Sequence, residues 1–69
     1  GHRTVRLETA HVHVTIDRTT GAADGVILSG RHVGVRLAEL DAETLRVLER
    51  TAPDTETAQI LETWRRRRG

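Results

Sequence analysis

Sixty-nine residues, 7.7 kDa, no cysteine and a formal charge of +1 exclude a disulfide-stapled scaffold, a thiolate metal centre and a chain of several domains. A chain this short buries only about 60% of the surface its unfolded form exposes, so residues 1 to 69 are read as one small domain. The basic residues are all arginine, and the pI near 9.3 arises largely from Arg65-Arg66-Arg67-Arg68, which places the positive field in a basic tail over residues 65–69. No apolar run has the length of a membrane span, and no charged segment leading into an apolar stretch opens the chain. The expectation is a cytoplasmic protein with no membrane partner. Gly1-His2 reads as a tag remnant, and the arginine-, alanine- and threonine-rich composition as that of a GC-rich bacterial genome.

Val5 and Leu7 alternate with Arg6 and Glu8, and Val12, Val14 and Ile16 alternate with His13, Thr15 and Asp17, the period-2 signal of half-buried strands. Asp17 to Gly25 holds Thr20-Gly21 and Asp24-Gly25 and reads as a turn region. Val26-Ile27-Leu28 resumes as a strand, Ser29-Gly30-Arg31 turns again, and Val33, Val35 and Leu37 share one face of a further strand. Gly34 within it marks a bulge or a close backbone approach.

Asp41 is a good N-cap for a helix from about Ala42 to Arg50, with Leu40 set to pack on Leu45 as a hydrophobic staple. Pro53 separates this helix from a second, capped by Asp54 or Thr55, which runs through Ala58, Ile60, Leu61 and Trp64. Glu62 is placed to pair with Arg65 or Arg66 one turn later. The fold class is therefore α+β, a small three- to four-stranded antiparallel sheet followed by two C-terminal helices packed on one face.

Little in this pattern carries covalent chemistry. Ser29 is the only serine and lacks a nucleophile-elbow context, and no phosphate-binding loop is present. His11, His13 and His32 are the residues that could converge on a divalent cation, but no carboxylate or cysteine stands beside them at ligand spacing. The reading is no metal and no cofactor. Glu39, Asp41 and Glu43 complement the start of the first helix. Trp64, the only aromatic residue, is read as a core anchor. The chain is accordingly read as a binding or adaptor module and not as an enzyme.

From Gly30 to Leu48 the chain resembles the small module at the C-terminus of exonuclease X-type nucleases, whose pattern is glycine-basic-aromatic-x-glycine, then a leucine, an acidic residue and a helix. Gly30, Arg31, Gly34, Leu37, Glu39, Asp41, Leu45 and Leu48 stand at its positions, with His32, Thr44 and Val47 at places where that module carries aromatic residues. The resemblance implies an accessory nucleic-acid-associated domain with Arg31, His32 and Arg36 as contacts. Arg65, Arg66, Arg67 and Arg68 add an electrostatic contact for phosphate.

The order of strands, a strand ending at Leu37, a helix through Leu45 and Leu48 and another through Ile60 and Leu61 is similar to the PqqD-like recognition elements of ribosomally made natural products. That resemblance implies capture of a leader peptide as an added strand on a sheet edge. A third reading is an oligomerisation or docking module of a larger protein. In that case a homodimer would complete the core through Trp64 and the Ile60-Leu61 face. The partner is thus nucleic acid, or a peptide or protein.

Overall fold

A computed structural model describes residues 3–68, with Arg68 described by its backbone alone. The expectations for Gly1, His2 and Gly69 fall outside the described residues. The elements in order are β1 (Thr4–Glu8), β2 (Val12–Asp17), β3 (Ala23–Ile27), a 3-10 turn (Leu37–Glu39), α1 (Ala42–Arg50) and α2 (Thr55–Arg68). The strands form an antiparallel sheet in the order β1-β2-β3, and both helices follow it, so the architecture is the expected α+β fold.

Register follows from the alternation. Leu7 lies opposite Val14 and Val5 opposite Ile16, while Val12 faces Ile27 and Val14 faces Gly25. This puts every apolar strand position of β1 and β2 on one face. Val12, Val14, Ile27, Leu37, Leu40, Leu45, Ile60, Leu61 and Trp64 make a single buried core between that face and the helices, with Leu7, Ile16, Val35 and Leu48 packed around it. Each such side chain contributes on the order of 2 kcal/mol of burial. The opposite face carries Arg6, Glu8, His13 and Thr15 and meets solvent, as an antiparallel sheet permits.

The expected fourth strand does not form. Residues 31–34 are a turn, with Gly30 at φ +86° and Gly34 at φ +84°. Two left-handed positions four residues apart fold the chain back on itself, and neither allows the extended backbone that a strand needs. Gly34 is therefore a turn residue and not a bulge. Its N–H donates to Ile27 O at 2.8 Å, Ile27 N–H donates to Val35 O at 3.0 Å, and one isolated bridge joins Val26 to Arg36. The glycine of close approach is Gly25, which lies inside β3 and not in a turn.

Helix α1 has the expected bounds, and Asp41 Oδ1 accepts from Thr44 N–H at 2.7 Å. Leu40 and Leu45 are both buried in the core. Helix α2 is capped by Asp54, whose Oδ1 accepts from Thr57 N–H at 2.7 Å. Thr57 is itself buried, and its hydroxyl is 2.9 Å from that of Thr9, fastening the start of α2 to the β1–β2 turn.

The helix continues through all four arginines, so residues 65–68 form its last turn. Ile60, Leu61 and Trp64 are buried within the chain's own core. The expected homodimer face of Trp64 and Ile60-Leu61 is thus spent within the chain's own core, apart from the edge of Ile60 that borders a surface groove beside β1.

Candidate functional site

The direction of α2 divides the molecule into two chemically different ends. Its first turn meets Thr9 at the β1–β2 turn, and its last turn reaches Gly21 at the β2–β3 turn, where Arg67 Nη2 donates to Gly21 O at 2.9 Å.

At the first end lies an apolar cavity of about 510 Å³, bounded by the ends of β2 and β3, the turn at 29–32 and the loop between the helices. Val12, Ile27, Leu48 and Leu61 form its apolar walls, and His11, Ser29, Arg31 and His32 its polar rim. The exposed large apolar side chains among the described residues are Leu28, Val33 and Val47. Val47 lines the cavity, and the other two flank the turn that borders it.

His11 organises this rim. Its Nδ1 lies 2.7 Å from Ser29 Oγ, and its Nε2 lies 3.9 Å from Asp54 Oδ2. The Asp54 carboxyl is held below the usual carboxylate value, first by the hydrogen bonds from Thr57 and then by attraction to His11. The second distance is too long for a hydrogen bond, and the other Asp54 oxygen is committed to Thr57 N–H. His11 and Ser29 thus tie the β1–β2 turn to the segment after β3, and Asp54 at the start of α2 stands beside them.

The three histidines do not converge. His13 lies on the solvated face of the sheet, 3.3 Å from Glu8, while His11 and His32 border the cavity. Among the described residues no group of three histidine, cysteine or acidic side chains could hold a metal ion.

The second end is basic. Arg18 N–H donates to Arg3 O at 2.7 Å, and Gly21 N–H donates to Asp17 O at 2.7 Å, which closes the turn on which Arg67 rests. Arg3, Arg18, Arg66 and Arg67 are all exposed there. The last-turn arginines also complement the negative end of the helix dipole. Asp17, the acidic residue of this turn, spends Oδ1 on Thr19 and Thr20 N–H groups.

Arg65 has a different role. Its Nε and Nη2 donate to Glu49 Oε2 and Oε1 at 2.6 and 3.2 Å. This bidentate pair locks α2 to α1 and raises the guanidinium pKa above its ordinary value. The expected partner Glu62 contributes only charge attraction.

The contacts expected from the sequence therefore fall in three places. Arg31 and His32 border the apolar cavity, Arg36 lies over the solvated face of the sheet beside His13 and Thr15, and Arg65, Arg66 and Arg67 stand at the far end of α2. Arg3 and Arg18 join that end, and sequence reasoning missed them. Pairing Leu7 with Val14 in an antiparallel hairpin would have set Arg3 opposite Arg18, and that register was the available signal. No helix among the described residues is long and apolar enough to cross a membrane.

Neither a protein-family model, nor a curated protein, nor a solved structure matches this chain.

Proposed function

We propose that this chain is a non-enzymatic, nucleic-acid-associated binding module that grips a phosphate backbone with its arginine end. The observation that carries this reading is that Arg3, Arg18, Arg66 and Arg67, all exposed, stand on segments that meet at one end of a domain whose net charge is only +1. Guanidinium groups match phosphate oxygens in pairs and stay charged at any physiological pH. The nuclease-module resemblance points instead to Arg31, His32 and Arg36, which stand apart from this end. In the present proposal they are secondary contacts.

The test is titration of a fluorescent single-stranded DNA. Each phosphate contacted lowers log affinity by about 0.7 per tenfold rise in salt. Three to four contacts then weaken binding roughly 20- to 50-fold between about 50 and about 200 mM salt. Arg66→Glu and Arg18→Glu should each weaken binding, and Arg31→Glu should matter less. Salt-independent binding, or amide shifts confined to the Arg31 end, would overturn the proposal.

The cavity favours a second reading, capture of a peptide or protein segment. Its apolar walls, its polar rim and the exposed Val33 and Val47 suit an apolar side chain flanked by acidic groups. For the PqqD-like mode in particular, the outer edge of β3 at Ile27 is already bonded to residues 34 and 35, so an added strand would pair elsewhere. Binding of an acidic, leucine-rich peptide that is lost in Val47→Asp and untouched in Arg66→Glu would favour this reading over the first.

A further inference from the structure

The two edges of the sheet differ. Hydrogen-bonded pairs in an antiparallel ladder alternate with non-bonded ones. The bonds Thr9 N–H to Val12 O and Arg18 N–H to Arg3 O flank the β1–β2 register and assign Val5 and Leu7 to the ladder. The N–H and C=O groups of Thr4, Arg6 and Glu8 therefore point away from the sheet. The equivalent groups of Ile27 on β3 are covered by Gly34 and Val35. No such cover lies over β1 among the described residues.

An open row of backbone donors and acceptors is a template for another strand, and the side chains along this row are self-complementary. Arg6 and Glu8 lie on the solvated face, two residues apart, with Leu7 between them on the core face. Among the described residues Arg6 forms no ion pair with a carboxylate, whereas Glu8 touches its own His13.

We propose that β1 pairs antiparallel with β1 of a second copy about a two-fold axis through Leu7. Arg6 then stands opposite Glu8 of the partner copy and Glu8 opposite Arg6 of the partner copy. Both are hydrogen-bonded pairs, each exchanging two N–H···O bonds. Leu7 meets Leu7 of the partner copy on the core face, in the non-bonded position where side chains come closest.

Beside this edge a groove of about 430 Å³ runs between β1 and α2, lined by Leu7, Glu56, Gln59, Ile60 and Thr63 among others. It leaves room for the partner's Leu7. Two three-stranded sheets merge into one, and the antiparallel pairing sends the two arginine ends to opposite sides. The arrangement is isologous, so it closes as a dimer. Shifting the register by two residues, to centre on Arg6, would set Arg6 against Arg6 of the partner copy, and like charges directly opposite are unfavourable.

Sedimentation equilibrium of the full chain from micromolar to millimolar concentration, at low salt, tests the proposal. Mass should rise from monomer to dimer, and Arg6 and Glu8 amides should gain exchange protection as it does. Arg6→Glu or Glu8→Arg alone should weaken association about tenfold, since each turns two attractive cross-strand pairs into repulsive ones. The double variant Arg6→Glu/Glu8→Arg should restore it.

A constant monomer mass overturns the proposal, as does a dimer indifferent to Glu8→Arg or one not rescued by the double exchange. Circular dichroism of each variant confirms that the fold is intact, so a loss of association is not a loss of structure.

Discussion

A methyl group placed on Gly25 would lie 2.7 Å from Leu37 Cδ1, so β3 and the 3-10 turn meet with no room for a side chain between them. The same methyl would approach His13 O and Val14 Cγ2 at 3.0 Å. Leu37 is fully buried, and it reaches the core across the one strand position that carries no Cβ. This contact joins the sheet to the segment leading into α1.

Gly25→Ala should therefore destabilise the fold by about 1–3 kcal/mol through overpacking, and Leu37→Ala by about 2–5 kcal/mol through cavity formation. The double variant should cost less than the sum, because truncating Leu37 removes the closest of the three clashes. Urea denaturation of the two single variants and the double variant measures the coupling. Strict additivity would show that Gly25 and Leu37 do not share this contact.

Gly34 offers a contrast. A methyl group there meets nothing within 4 Å, but the residue sits at φ +84°, which costs an L-residue roughly 1–2 kcal/mol. Gly34→Ala should show a loss of that size from backbone strain alone, and Gly34→Asn a smaller one, since asparagine tolerates this region better. Equal losses in the two variants would refute the backbone explanation.

The cap of α2 should be visible in the acid limb of stability. Because folding lowers the Asp54 pKa, its contribution is present in full above the ordinary carboxylate range and is lost as pH falls through the folded-state value. Thermal midpoints of the wild type and Asp54→Ala should differ most near neutral pH and converge in acid. A difference that stays constant from pH 6 to about pH 2 would mean that the charge on Asp54 plays no part.

Trp64 is buried with its Nε1 unpartnered among the described residues. An unsatisfied buried donor costs roughly 1–3 kcal/mol, so Trp64→Phe should offset part of its lost burial by removing that donor. Trp64→Ala should cost about 3–5 kcal/mol. As the single tryptophan, Trp64 also reports unfolding by fluorescence, with a red shift as the indole meets water. If Trp64→Phe proves as costly as Trp64→Ala, the indole N–H has a partner in solution.

Much of the fold was legible in local pattern. The alternation Val5-Leu7 and Val12-Val14-Ile16 determined two strands and the face they bury, because side chains alternate strictly along extended backbone. Asp41, Leu45 and Leu48 determined α1, because a side-chain cap and an apolar stripe act within a few residues of each other. The arginine run of the basic end stood in the sequence as well.

What the tertiary structure alone decided depends on groups distant in the chain. Gly34 fits a strand as readily as a turn in sequence, and the bonds of Ile27 to residues 34 and 35 selected the turn. Arg65 went to Glu49 and not to its helical neighbour Glu62, because the packing of α2 against α1 brought a bidentate carboxylate within reach. Arg3 and Arg18 joined Arg66 and Arg67 only once the hairpin register and the direction of α2 were set. Charge convergence of this kind is a property of distances in space, and sequence periodicity carries no record of it.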